Sequence, residues 1–293
     1  KTTRLFSMAK NLVVIDETSN GANSPDSLTD KYYYEIFTEY TYDIIDVDTM
    51  GEVNCLLFAN YKNVIIIDDD LYQNKLNEHD FYQFMLLGGN ICYSAWNAGW
   101  KLLGYSDSTY MIADSFSDAF LNLGISSYRV NKTADLEFAQ CFIGGDTLSI
   151  FPDTSKLFRG SNGNLSYCGV FEKNDSSELL GEYKSNTIDA NYQNKPIALS
   201  SKSLSRIVLN FPIYFMKQNS VDSLFKMIMS EWSIYAGLSE APEKNAQKIS
   251  VSALCSGCIS VDFAFPPDEC VSLVIFDKTG RKSFEKTYDG FKE

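Results

Sequence analysis

The chain has 293 residues, 45% of them hydrophobic and 22% charged, enough for one large core or two modest ones and without compositional bias. Its formal net charge of -13 argues against broad nucleic-acid contact, which relies on Lys and Arg to displace counterions, and against an anionic membrane surface. No stretch approaches the ~20 apolar residues of a membrane span, so no transmembrane segment is expected. Lys1 opens the chain without an initiator Met or a visible signal peptide, and the numbering is expected to describe a processed or excised fragment.

Strand and helix signals alternate through the first half. Asn11 to Ile15 is a short apolar run ending in Asp16-Glu17-Thr18, the pattern of a buried parallel strand. After a polar loop, Leu28 to Tyr40 reads as a helix, with Tyr33, Ile36, Phe37 and Tyr40 at three- and four-residue spacing. Tyr42 to Val47 is a second strand, Val53 to Asn60 a short helix, and Val64 to Ile67 a third strand running into Asp68-Asp69-Asp70. Asn77 suits a helix N-cap, and that helix stops at Gly88-Gly89 before a fourth strand, Asn90 to Ser94. Such units predict an α/β fold with a flavodoxin-like, doubly wound parallel sheet.

Ser115 to Leu123 suggests another helix. Turn residues then punctuate the chain, and about 125–200 reads as a β-rich insertion, with strands at Leu179 to Tyr183 and Pro196 to Leu199. Arg206 to Phe211 is a stronger strand, ended by Pro212, and Val221 to Trp232 an amphipathic helix. The polar stretch 240–248 with Pro242 is the expected linker, closing a first domain of 1–239. Beyond it the period becomes two, at Ile249, Val251 and Ala253, at Ile259, Val261, Phe263 and Phe265, and at Val271 to Phe276. Residues 249–293 therefore predict a partial antiparallel β-sandwich.

Three segments resemble class I glutamine amidotransferase-like domains of secreted bacterial proteins. They are Leu12 to Thr18 with its following loop, Tyr61 to Ser94, and Arg206 to Met216 with Phe211-Pro212-Ile213-Tyr214-Phe215-Met216. The tail, Val271 to Arg281, resembles the hairpin of type IX secretion sorting domains and of flagellar hook-cap (FlgD-like) immunoglobulin-like repeats. The resemblance implies a secreted or cell-surface protein with an amidotransferase-like fold. It does not bring the activity with it, because function resides in the site.

Amidotransferase chemistry needs a Cys nucleophile on a glycine-rich elbow, activated by His. Cys92 lies in the matching strand, but Asn90-Ile91-Cys92-Tyr93-Ser94 lacks the glycines, so Cys92 reads as a core residue. His79 is the only histidine and reads as an exposed residue near a helix start, so neither a Cys-His nor a Ser-His-Asp machine can be assembled. Ser94 with Lys101 is the remaining nucleophile pair. Of the seven cysteines, Cys255 and Cys258 form a CxxC among Ser and Gly with only Cys270 nearby, which suits a local disulfide or unpaired thiols better than zinc or a redox centre.

Asp16, Glu17, Asp68, Asp69 and Asp70 follow strands at the carboxyl end of the sheet, where α/β folds bind ligands. Converging carboxylates there would suit Ca²⁺ or Mg²⁺, and the ordinary alternative is loop carboxylates facing water. No other cofactor is implied. Ser94, Trp96 and Trp100 are candidates for a ligand rim, with core packing as the alternative for the tryptophans. The leading expectation is a non-catalytic extracellular module for binding, spacing or assembly, with other domains of its precursor or neighbouring surface subunits as partners. The alternatives are a hydrolase with an unconventional or incomplete site and a Ca²⁺-stabilised adhesion or polymer subunit.

Overall fold

The computed structural model describes residues 10–19, 24–50, 61–71, 84, 89–102, 110–112, 127–129, 133–157, 163–173, 175–187, 191–234, 249–253, 259–263, 271–276 and 282–288. The chain divides into two compact units, Lys10–Gly237 and the pair of segments Lys1–Ala9 and Leu238–Glu293.

The larger unit is organised by four apolar strands. β1 (Lys10–Asp16), β3 (Tyr61–Asp68) and β12 (Arg206–Leu209) are near-continuous runs of Val, Ile and Leu, and β4 (Asn90–Ala95), of mixed composition, is buried from Ile91 to Ala95. Leu12 to Ile15 and Val64 to Ile67 have no exposed surface at all. Consecutive residues of a strand face opposite sides of the sheet, so both faces are covered here. β2 (Asp43–Asp46) pairs parallel with β1, β1 with β3, β3 with β4, and β4 with β12. At the amino ends of these strands an asparagine ladder ties neighbours together: Asn63 Nδ2 donates to Asn11 Oδ1 at 2.8 Å, and Asn90 Nδ2 donates to Asn63 Oδ1 at 2.7 Å.

The sheet then changes direction, which corrects the expectation of a parallel sheet carrying a separate insertion. β12 pairs antiparallel with β11 (Pro196–Ser200), which continues antiparallel through β10 (Glu178–Lys184) and β7 (Phe138–Ile143) to β8 (Asp146–Ile150). The result is one nine-stranded mixed sheet of order β2-β1-β3-β4-β12-β11-β10-β7-β8. Four strands of the supposed insertion thus extend the main sheet. They read differently because β7 alternates buried and half-buried residues, covered fully on one face only. β10 and its neighbours approach closely at Gly181, where an added Cβ would stand 3.1 Å from Ala198 Cβ and 3.2 Å from Cys141 Sγ. Among the described residues of this unit, β5 (Tyr110–Ile112), β6 (Ser127–Arg129) and β9 (Val170–Glu172) form a separate three-stranded sheet.

Helix α1 (Asp26–Phe37) begins two residues before the expected start, directly after Pro25, whose fixed φ of -61° leads into the first turn. It buries Tyr32, Tyr33, Ile36 and Phe37, the three-to-four spacing seen in the sequence. Short turns α2 (Val47–Met50) and α3 (Ala98–Leu102) follow β2 and β4. Helix α4 (Gln218–Glu231) buries Val221, Leu224, Phe225, Ile228 and Met229. α1 and α4 meet through Phe37 and Phe225, whose ring centroids lie 5.0 Å apart. Each of these large side chains contributes about 1.5–3 kcal/mol by burial.

In the smaller unit, β13 (Ile249–Ala253) pairs antiparallel with β14 (Ile259–Phe263), and β15 (Val271–Phe276) with β16 (Lys282–Tyr288). The described residues there form two separate two-stranded sheets. The expected helices at 53–60 and 115–123, nearly all of the one after Asn77, the 240–248 linker and the Cys255–Cys258 motif lie outside the described residues.

Candidate functional site at the carboxyl ends of the parallel strands

The five carboxylates named from the sequence lie at the carboxyl ends of β1 and β3, and they are buried. Asp16, Glu17, Asp68, Asp69 and Asp70 each have at most 6% of their surface exposed. They are not loop residues facing water. Among the described residues no three of His, Cys, Asp and Glu converge to hold a metal ion. The reason is visible in their partners, because the aspartates turn to separate donors of the protein.

Asp69 has the fullest set. Its Oδ1 accepts the backbone N–H of Ile213 at 3.0 Å, and its Oδ2 accepts that of Tyr214 at 2.7 Å and the Tyr33 hydroxyl at 2.8 Å. Thr18 Oγ1 closes the ring, 3.0 Å from the Tyr33 hydroxyl and accepting the Asp69 N–H at 3.1 Å. One carboxylate therefore joins the end of β3, helix α1 and the loop after β12. Asp68 pairs with Lys101 at 2.6 Å, and both side chains are essentially without exposed surface. Asp70 accepts the Ser19 N–H at 2.7 Å and the Ser24 hydroxyl at 3.3 Å. Asp16 Oδ1 accepts the Thr18 N–H at 2.9 Å.

Burial dominates the electrostatics. It lifts the Asp16 carboxyl to about 9, against the pull of the Thr18 N–H and with help from the charges of Asp30 and Asp69. It lifts Asp69 to about 7 despite the Tyr214 N–H and the Tyr33 hydroxyl. Asp68 is raised as well, because desolvation outweighs the opposing Lys101 ammonium. Tyr33, fully enclosed, is pushed well above its usual range.

Ser94 and Trp96 form no exposed rim. Ser94 has no exposed surface, and its hydroxyl donates to the Phe211 carbonyl at 3.0 Å. Trp96 is buried with its ring 4.5 Å from that of Phe215, and its indole N–H donates to the Ser166 carbonyl at 2.9 Å. The Trp100 side chain and His79 lie outside the described residues. Cys92 is a free, buried thiol, as are Cys141 and Cys168, and burial raises the Cys92 thiol far above its ordinary value.

Several participants escaped the sequence reading. Lys101, considered there only as a partner of Ser94, neutralises Asp68 instead. Lys156 places its ammonium 4.0 Å from the Tyr32 ring centroid and 4.4 Å from that of Tyr214, and donates to the Tyr214 carbonyl at 2.9 Å. The backbone donors of Ile213 and Tyr214 did have a signal. Pro212 ends the β12 ladder, so the amides just after it require partners elsewhere.

No family model matches the chain, and no curated protein sequence matches it. Among solved structures, the chain is similar to a ThuA-like protein from Bacteroides uniformis at 13% identity and a TM-score of 0.45, covering 75% of this chain and 89% of that one. It is also similar to the mmIFT52 N-terminal domain, at 11% identity and a TM-score of 0.43 over 77% of this chain and 99% of that one. A third similarity is to alpha-L-fucosidase isoenzyme 2 from Paenibacillus thiaminolyticus, at 10% identity and a TM-score of 0.41, covering 94% of this chain and 36% of that one.

Proposed function

We propose that the larger unit is a non-catalytic binding, spacer or assembly module of a bigger secreted or cell-surface protein. In this reading it is a flavodoxin-like, amidotransferase-like domain that has kept the frame and filled the site, and the two C-terminal strand pairs belong to a sorting or immunoglobulin-like module. The observation that carries the proposal is the occupation of the strand carboxyl ends by the chain's own side chains. Ligands of open α/β sheets bind at that edge, and here Asp69 accepts two backbone amides and a tyrosine hydroxyl.

The nucleophile requirement points the same way. An activated Ser or Cys needs a base within hydrogen-bond reach and a lowered pKa. The Ser94 hydroxyl is already committed to a carbonyl, and the Cys92 thiol is shifted in the opposite direction by burial. No helix among the described residues is long and apolar enough to cross a membrane. The secreted or surface location rests on the likeness of 271–281 to sorting-domain hairpins.

The test is a panel of ester, amide and glycan substrates, together with a fluorophosphonate probe, applied to the purified chain. The expected result is no turnover above buffer and no labelled serine. Turnover that disappears in Ser94→Ala, with circular dichroism matching the wild type, overturns the proposal and makes the chain a hydrolase.

A further inference from the structure

At the opposite, amino end of β12, the hairpin from β11 carries the sequence Ser201-Lys202-Ser203-Leu204-Ser205-Arg206. The β11–β12 register pairs Ser200 with Ile207, and the next pair out is Ser201 with Arg206. Ser201 N–H donates to the Arg206 carbonyl at 2.9 Å, and Arg206 N–H donates to Ser201 Oγ at 3.1 Å. Residues directly opposite in an antiparallel pair project to the same face, so the Arg206 side chain leaves the hairpin on the side of Ser201. Ser201 Oγ lies 3.4 Å from Ser203 Oγ and 3.3 Å from Ser205 Oγ, and the last two are 2.8 Å apart. Three hydroxyls are thus gathered beside the root of one arginine.

Arg206 is the unusual member. It is half-buried, and among the described residues no carboxylate pairs with its guanidinium. Burial alone lowers its pKa, with no neighbouring charge acting on it. This occurs in a chain with 38 Asp and Glu against 25 Lys and Arg, where a cation has ample choice of partners. Charges withdrawn from water are normally paired. The exposed Lys202 adds a second cation in the same hairpin. The turn itself is held in shape: Leu204 N–H donates to the Ser201 carbonyl at 2.9 Å, and the Trp232 indole N–H donates to the Leu204 carbonyl at 2.8 Å. A fixed turn presents its groups with little ordering cost on binding.

We propose that this hairpin is a binding site for a tetrahedral oxyanion, a phosphate or sulfate group, either free or as the ester of a larger molecule. The planar guanidinium fork of Arg206 matches two oxygens of such a group, and Lys202 supplies a point charge. Ser203 and Ser205, whose hydroxyls can rotate, donate to the remaining oxygens. The aspartate network stands at the far end of the strands, where it does not compete for these cations.

Calorimetric titration of the full chain with inorganic phosphate and with sodium sulfate, against sodium chloride at matched ionic strength, tests this. Saturable one-to-one binding of phosphate or sulfate but not chloride is expected, weakened at least tenfold in Arg206→Gln and less in Arg206→Lys. Phenyl phosphate distinguishes the sources: tighter binding than inorganic phosphate indicates an ester ligand, and weaker binding a free ion. Should Arg206→Gln fail to fold, the double variant Lys202→Gln/Ser203→Ala, confined to exposed positions, must weaken binding at least threefold. Lys226→Gln, whose ammonium already contacts Glu39 at 3.2 Å and Asp222 at 3.0 Å, is expected to leave it unchanged. Absence of saturable binding, or equal loss in Lys226→Gln and Arg206→Gln, overturns the proposal.

Discussion

Replacing Asp69 by Asn removes one titrating group from the strand-end network while keeping its shape. Burial holds this carboxyl at about 7, against an ordinary 3.8, so the folded chain retains a proton that the unfolded chain has released. Between about pH 4 and 7 the folded state binds more protons. Its stabilisation from this site is complete below pH 3.8 and is lost as pH rises through 7. At ~1.4 kcal/mol for each pH unit crossed, the step from pH 5 to pH 8 costs the wild type about 2–3 kcal/mol at this site alone. The Asn variant does not titrate and escapes that cost. It does lose one acceptor, because an amide has a single oxygen for the three donors, a pH-independent loss of about 1–3 kcal/mol. Urea denaturation at pH 5 and pH 8 separates the two effects. The variant should be the less stable protein at pH 5, and its stability should change by about 2–3 kcal/mol less than that of the wild type between the two pH values. Parallel profiles for the two proteins would mean that Asp69 does not titrate between pH 5 and pH 8 in the folded chain.

Lys101→Met leaves the Asp68 carboxylate buried without its cation, and an expected destabilisation of about 3–5 kcal/mol should be measurable by urea denaturation. The double change Lys101→Met/Asp68→Asn should recover a substantial part of it, and no recovery would mean that the packing of Lys101 matters more than its charge. Gly181→Val drives a side chain into Ala198 and Cys141, at Cβ distances of 3.1 and 3.2 Å, and should lower stability by about 1–3 kcal/mol in thermal melts. Cys92, Cys141 and Cys168 are buried free thiols, with Cys141 pushed up to about 12. A thiol reagent at pH 8 should therefore modify them only at the rate of unfolding, and prompt labelling of any one would contradict its burial.

The parallel strands were legible because burial on both faces writes an uninterrupted apolar run, as in Leu12 to Ile15 and Val64 to Ile67. Helices α1 and α4 were legible from the spacing of their buried residues, with ends displaced by one to three positions. The membership of β7, β8, β10 and β11 in the main sheet was not. An alternating strand records that one face is covered, but not which strand lies beside it, and β12 bridges the two halves only through its pairing with β4 and β11. The strand-end carboxylates show the same division. Their positions followed from strand ends, whereas two of the donors that hold Asp69, the amides of Ile213 and Tyr214, lie 144 and 145 residues away in the chain. Ser94 and Trp96 read as a rim because strand ends usually open to solvent, and the Phe211 and Phe215 segment closes over them here.

The pairing of β4 with β12 also governs the order in which the protein can assemble on the ribosome. Ile91 lies opposite Arg206 and Ser94 opposite Leu209, so over a hundred residues must be synthesised before β4 gains its second neighbour. At about 5–20 residues per second the β4 edge waits roughly 5–25 s, displaying the backbone of Ile91-Cys92-Tyr93 as an open template. Truncations ending before residue 206 should aggregate, while those extending through α4 should remain in solution.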